Sequence, residues 1–321
     1  MALPALQAQD QFAAPVLKAA NPPAKCLVTA RPHLAVVVIG CRAPASIVGS
    51  VRSLSAQGVP LEMLVVNSGG GNAKALLSHA GVDVPVIEIA QQVFVGAARN
   101  IGIAATTAPF VGFLADDCLA CPGWAEARIR RHLAGAATVS SAISNSHPRN
   151  AFACAAYLAL FARRLPGLPA ELALRYGVSF DRRLFEEYGL FDESMRVAED
   201  TEFLKRLPRE LEPVWEPEVR TIHRNETRLH GLLLDQYRRG YRSGAYYIGT
   251  SAAKPFRLAR ATFRDRRQIR KLARIGLSGS ELACARRSMP IVWLALLAKS
   301  VGLYFGAHRH LRKMRRLQDD Y

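Results

Sequence analysis

Residues 109–124 read PFVGFLADDCLACPGW. An apolar run, Pro109–Leu114, ends at two adjacent carboxylates, Asp116 and Asp117, and a Cys-Pro-Gly turn follows. A continuous apolar run marks a strand buried on both faces. Adjacent like charges repel, so carboxylates at the end of such a strand call for compensation, and a divalent cation is the obvious candidate. The preceding sequence assigns the strand to a sheet. Leu34–Ile39 (LAVVVI), Leu61–Val66 (LEMLVV) and Val84–Ile89 read as three more strands, separated by helical patterns over 44–57, 72–80 and 96–106. Strands alternating with helices through short connections build a mostly parallel α/β sheet flanked by helices. Ligands of such sheets bind outside the carboxyl ends of the strands, which puts the doublet at the mouth of the sheet.

Past Trp124 the pattern changes. Helix is expected over 122–134, extended chain over 136–145, and helix or strand over 151–162. Two more helices are expected, over 182–188 and from about 199, then an extended run ending at His223. From about 226 the chain reads as helices with few strand signals.

The 321 residues are half apolar, enough for a large core. The formal charge of +17 is unevenly spread. Residues 1–221 hold 21 Lys and Arg against 20 Asp and Glu, whereas residues 222–321 hold 22 against 6. The last third is thus a basic module suited to an anionic surface. Six cysteines show no paired framework and read as reduced thiols of a cytosolic protein. Cys118 and Cys121 lack the second pair or nearby histidines of a zinc site, and read as two small residues beside the doublet. Residues 1–32 read as a flexible leader, without the early positive charge and long apolar core of a signal peptide.

The candidate chemistry lies in the Asp116-Asp117 pair, the Glu199-Asp200 pair and His223. Carboxylate oxygens suit Mg²⁺ or Mn²⁺, and an imidazole tilts the choice toward Mn²⁺. A metal at the strand end would clamp a diphosphate, and a carboxylate at a helix start could deprotonate an acceptor hydroxyl. Taken singly, Glu199-Asp200 is equally ordinary N-terminal helix charge, and His223 an ordinary packed histidine. Ser68-Gly-Gly-Gly-Asn72 lacks a phosphate-loop pattern and reads as a turn, and no GxSxG elbow is present.

Joint order and spacing sharpen this reading. VVVIGCRAPASIVGSVRSLSAQ (36–57), EMLVVNSGG (62–70), VGAARNIGIAATTAPFVGFLADDCLACPGW (95–124), SFDRRLFEEYGLFDESMRVAEDTEFLKRL (179–207) and the later His223 resemble the family 2 glycosyltransferases. The resemblance implies a GT-A (Rossmann-like) fold over roughly 34–225. It implies that Asp117 is the last acidic residue of a DxD-type metal motif, with Asp116 near the ribose or assisting the metal. It implies Arg99 and Asn100 on the diphosphate side of the pocket, Asp200 as general base with Glu199 as partner, and His223 as a second metal ligand. It also implies direct attack on the anomeric carbon with inversion. The sequence departs from the family at Gly40–Ala43 after the first strand. It departs again at Asn67, where an Asp usually reads the nucleobase, and at Ala115, where many members carry the first Asp of the metal motif. Gln236–Gly240 is a poor match to the QxxRW of processive synthases, which implies single addition.

The tail carries eleven Lys and Arg over 254–288, a nearly apolar helix over 289–307, then Arg309, Arg312, Lys313, Arg315 and Arg316. Spanning needs ~20 apolar residues, Lys299 sits near the centre, and both flanks are basic. A helix lying at the anionic cytoplasmic surface fits this pattern; a helix packed on the catalytic domain with a solvated basic face is the alternative. Nucleic acid is not indicated, since few aromatics interleave the basic residues.

The sequence therefore predicts a GT-A catalytic domain over 33–225 and a basic helical region over 226–321. The expected activity is a metal-dependent inverting glycosyltransferase using a nucleotide-diphosphate sugar, with Asn67, Arg99, Asn100 and Asp116 on the donor. The expected acceptor is a hydroxyl on a lipid-linked or polysaccharide intermediate, at the cytoplasmic face of a membrane. The alternatives are a non-catalytic nucleotide-sugar-binding protein of the same fold and a sugar-phosphate nucleotidyltransferase.

Overall fold

The computed structural model describes residues 31–250 and 254–319. The leader expected over 1–32 lies, but for its last two residues, outside the described residues.

Eight strands form one mixed sheet flanked by helices. β1 (Leu34–Cys41) pairs in parallel with β2 (Leu61–Ser68) and β4 (Phe110–Ala115), and β2 pairs with β3 (Val86–Ile89). The sheet continues through β7 (Ser179–Asp181), β6 (Thr138–Asn145) and β8 (Val214–His223) to β5 (Cys118–Ala120), in the order β3-β2-β1-β4-β7-β6-β8-β5. β7 runs antiparallel to both neighbours and β5 antiparallel to β8, so the expected mostly parallel sheet holds with two reversed short strands. β5 was not expected: its three residues are too short to show a period.

The helices between the first strands follow from simple local features. In α1 (Ser46–Ser55), Ile47, Val51 and Leu54 recur at helical spacing and are buried. Asn72 caps α2 (Ala73–His79), its side chain accepting from the Ala75 amide at 2.8 Å. In α3 (Val95–Ala104) Gly102 lies against Val37 of β1, and a Cβ there would come within 2.5 Å of that side chain. Apolar clusters cover both faces of the sheet, one around Val36, Ile47, Val65 and Trp124, the other around Val37, Val66, Phe180 and Phe203.

Arg128 of α4 (Trp124–Leu133) is buried without an acidic partner. Its guanidinium lies 4.2 Å over Trp124 and donates to the carbonyls of Val139 and Gly177 and to the Ser179 hydroxyl, each at 2.9 Å. It thereby ties β6 to β7, and burial pushes its pKa down to about 9.

The segment 151–162, open to helix or strand in sequence, is α5 (Ala151–Phe161) and a following helical turn. Asn150 decides it, capping the amides of Phe152 and Ala153. α6 (Arg183–Tyr188) and α7 (Glu199–Arg206) follow, both expected. The C-terminal helices are α8 (Leu229–Thr250), α9 (Pro255–Arg264), α10 (Arg266–Gly276) and α11 (Gly279–Asp319). A third apolar cluster joins α5 to α10 and α11 through Tyr157, Leu158, Leu272, Val292 and Leu296.

α8 and α11 cross backbone to backbone. A Cβ at Gly240 or Gly302 would come within 2.0 or 2.1 Å of the carbonyl oxygen of Lys299 or Tyr237, and at Gly306 within 2.0 Å of that of Tyr241. Paired small residues four apart let two helices approach this closely. Gly306→Val is expected to cost about 3 kcal/mol in denaturant unfolding, because the obstacle is backbone with no rotamer to move. Gly58→Ala, with no atom within 4 Å of its Cβ, is the near-neutral control.

Candidate active site

The β5–β8 ladder pairs Cys118 with His223, and the Arg224 amide donates to the Asp117 carbonyl at 3.0 Å. These bonds hold Asp117 beside His223, with Asp117 Oδ2 3.5 Å from His223 Nε2. The imidazole is fixed from three sides. Its Nδ1 lies 3.0 Å from Asn225 Oδ1, and Phe161 meets its ring edge-on at 4.7 Å. The Asn225 amide group is itself spent on Asn145 Oδ1 and the His223 carbonyl. Its Oδ1 therefore accepts from Nδ1–H, which leaves the Nε2 lone pair facing the carboxylate. Burial lowers the imidazole pKa against the pull of Asp117.

Two lone-pair atoms face each other with no proton between them, an arrangement that a cation relieves. Ligands at about 2.1 Å from one ion lie about 3 Å apart, so this pair fits one Mn²⁺ or Mg²⁺. Cys118 Sγ completes the local cluster, all three ligand atoms lying within 4.8 Å of one another. Burial, then the charge of Asp117, holds the thiol well above its ordinary pKa. It stays protonated and donates to Asp117 Oδ1 at 3.3 Å, orienting the carboxylate.

Asp116 points the other way. Its Oδ2 accepts from the Cys41 amide at 3.2 Å, and burial with the adjacent Asp117 raises its pKa to about 6. It faces the turn after β1, where Arg42 and Ala43 both hold left-handed backbone (φ 62 and 45).

The other predicted donor residues have partners within the protein. Asn67 is fully buried, and each of its polar side-chain atoms is engaged: Oδ1 accepts from the Ala43 amide at 2.8 Å, and Nδ2 donates to Glu88 and the Gly70 carbonyl. It braces the two loops and offers no free edge to a base. The Asn100 side chain is likewise saturated: Oδ1 accepts from the Phe191 amide, and Nδ2 donates to the Phe191 carbonyl and to Glu193 at 2.9 Å. Arg99 pairs with Glu199 at 2.9 Å and lies over the rings of Phe113 and Phe191. Contact with a donor through Asn67 or Asn100 would have to displace these bonds, whereas the Arg99 Nε has no partner among the described residues.

Glu199 is thus a buried anchor between α3 and α7, whereas Asp200 beside it is half-buried and accepts from the Thr201 amide at 2.7 Å. Ala198, just before α7, adopts φ 67, which costs a non-glycine residue about 1 kcal/mol. Arg164 had no signal in the sequence. Its guanidinium donates to the Ser141 carbonyl and hydroxyl, and its charge acts on both Cys118 and Asp200. Asp235 and Arg239, paired at 2.7 Å, add their charges to the surroundings of His223.

Residues 35–161 match the model of glycosyl transferase family 2. No curated protein sequence matches the chain. The mannosyltransferase PcManGT from Pyrobaculum calidifontis, solved with GDP-Man and Mn²⁺, superposes with a TM-score of 0.57 at 17% identity, over 89% of this chain and 88% of its own. TarS 1-349 from S. aureus, solved with UDP-GlcNAc, gives 0.47 at 13% identity, over 86% and 91%. The first establishes the GT-A fold.

Glu199→Ala leaves the Arg99 guanidinium half-buried and unpaired. It is expected to cost about 3 kcal/mol in equilibrium unfolding. A double-mutant cycle with Arg99→Ala should return a coupling above ~1 kcal/mol; additive losses would show that the pair is not coupled.

Proposed function

We propose, from the match of residues 35–161 to the model of glycosyl transferase family 2 and from the GT-A fold, that the protein is a glycosyltransferase that catalyses the following reaction. A sugar passes, with inversion, from a nucleotide diphosphate to an acceptor hydroxyl. Asp117 and His223 would hold the divalent cation, which neutralises charge on the departing diphosphate. Asp116 faces the ribose side of the donor. The acceptor oxygen bonds to the anomeric carbon while the bond from that carbon to the diphosphate oxygen breaks and its electron pair leaves with the diphosphate. The hydroxyl proton passes to Asp200. Glu199 acts on this base through position, by pinning the start of α7 to Arg99. Arg164, whose charge acts on Asp200 and on Cys118 beside Asp117, contributes positive charge that favours the donor phosphates. Residues 33–225 carry this chemistry.

The observation that carries this reading is the Asp117–His223 pair with its Nδ1 locked by Asn225. GDP and UDP with Mn²⁺ are the first probes. Either is expected to raise the melting temperature, and Asp117→Ala to abolish that rise. Asp200→Asn should keep the rise and lose sugar transfer by about a hundredfold or more. Binding without turnover of any donor would favour the non-catalytic alternative. Asn225→Ala frees the imidazole and is expected to weaken Mn²⁺ binding about tenfold or more; unchanged affinity would remove His223 from the ligand set.

The second part of the proposal is that residues 226–321 rest on an anionic membrane at its cytoplasmic face. Among the described residues α11 is the one helix long and apolar enough to cross a membrane. One of its faces, with Val292, Leu296, Leu303 and Ala307, is buried against the protein. The opposite face exposes Trp293, Leu297, Val301 and Phe305. Lys299 is half-buried near Asp265 and Asp235 and not in the exposed stripe. A helix so divided lies along an interface. Leu297→Glu is expected to weaken co-sedimentation with phosphatidylserine vesicles about tenfold without lowering the melting temperature. Equal sedimentation of variant and wild type argues against this surface.

A further inference from the structure

Between α8, α11 and the loop leading into α7 lies a pocket of about 810 Å³. Arginines surround it, Arg196 from the loop, Arg242 from α8, and Arg309 and Arg312 from α11, with His310 of α11 beside them. No acidic side chain is among the described residues that line it. Arg309 donates to the hydroxyl of Tyr241, another wall residue, at 2.8 Å. Burial, then the charge of Arg239, presses the Arg242 pKa below its ordinary value; Arg196 and Arg238 add to the effect, and Asp235 opposes it. Arg242 is half-buried and Arg196, Arg309 and Arg312 are exposed at the rim, and like charges gathered around one cleft repel one another unless an anion joins them. A phosphate meets several arginine forks at once.

The surroundings narrow the class of anion. The exposed apolar stripe of α11 begins at Phe305, beside Gly306 in the pocket wall, and runs back through Val301 and Leu297 to Trp293. A ligand with its phosphate among the arginines could therefore carry a hydrocarbon chain along that stripe. The pocket also lies on the acceptor side of the proposed reaction. Met195–Val197 form part of its wall, and the left-handed turn at Ala198 leads straight into Glu199 and Asp200. Thr201, next to Asp200, bonds Tyr176 at 2.9 Å.

We propose that this pocket binds the phosphate of a phosphorylated lipid acceptor and so presents the acceptor hydroxyl to Asp200. The proposal rests on the glycosyltransferase reading and names the acceptor class that reading leaves open.

The test uses the full chain with n-octyl phosphate, n-octanol and inorganic phosphate, and reads binding by titration calorimetry. Octyl phosphate is expected to bind about tenfold or more tighter than either inorganic phosphate or octanol. Arg242→Gln, and separately the exposed-rim pair Arg309→Gln/Arg312→Gln, are each expected to weaken octyl phosphate about tenfold or more. The rim pair keeps the test informative should Arg242→Gln fail to fold. Equal affinity in wild type and rim variant overturns the assignment. Octanol binding as tightly as its phosphate overturns it too. Inorganic phosphate binding as tightly as octyl phosphate overturns the lipid part and assigns the pocket to free phosphate. Thermal stabilisation by GDP or UDP with Mn²⁺, read on the same samples, separates the two levels. Arginine-dependent octyl phosphate binding in a chain indifferent to nucleotides would overturn the donor reading and keep the pocket. Nucleotide stabilisation with arginine-independent octyl phosphate binding would do the reverse.

Discussion

The three-residue strand β5 holds the site together. By pairing Cys118–Ala120 with Thr221–His223 it brings two points 106 residues apart in sequence, Asp117 and His223, to 3.5 Å. The ladder extends past the strand, through the Cys121 amide to the Arg220 carbonyl and the Arg224 amide to the Asp117 carbonyl. Backbone bonds of this kind fix position without using side chains, so the carboxylate and imidazole remain available. The neighbours then settle their state. The Cys118 thiol aims the carboxylate, and Asn225 selects the imidazole tautomer that leaves Nε2 open.

A second constraint is the close approach of α8 and α11. Glycines at 240, 244, 302 and 306 bring the two backbones into contact. The helices then present their larger side chains sideways, where Tyr241, Arg242, Arg309 and His310 enclose a cationic cleft beside the approach to α7. The positive charge of the last third of the chain is therefore partly gathered around one cleft rather than simply spread over a solvated face. The same packing divides α11 lengthwise, one side in the core shared with α5 and α10, the other apolar and exposed.

Several polar residues that look like ligands in the sequence serve as braces. Asn67 and Asn100 spend their hydrogen bonds on loops of the protein itself, and Arg99 pairs with Glu199 at the start of α7. Gly96 belongs with them, since a Cβ there would come within 2.7 Å of the Asp192 carbonyl. The segment VGAARN thus reads physically as the seat on which the loop before Glu199-Asp200 rests. Sequence could not separate bracing from binding, because both use the same side chains at the same positions.

The strands β1 to β4, the helices between them and the mouth position of Asp116-Asp117 were legible in the sequence, because apolar runs and helical spacing are local signals set by burial. The family pattern supplied Asp117, Asp200 and His223 as a set. What only the tertiary structure decided is which groups face one another. The pairing of β5 with β8 put His223 on Asp117, the ion pair turned Glu199 toward Arg99, and Arg164, on a helical turn with no motif, came within electrostatic reach of Cys118 and Asp200. The glycine contact of α8 with α11 likewise made a cleft from arginines scattered over 117 positions, from Arg196 to Arg312. Such contacts depend on register and on distances between chain segments far apart in sequence, and local patterns of hydrophobicity and charge carry neither.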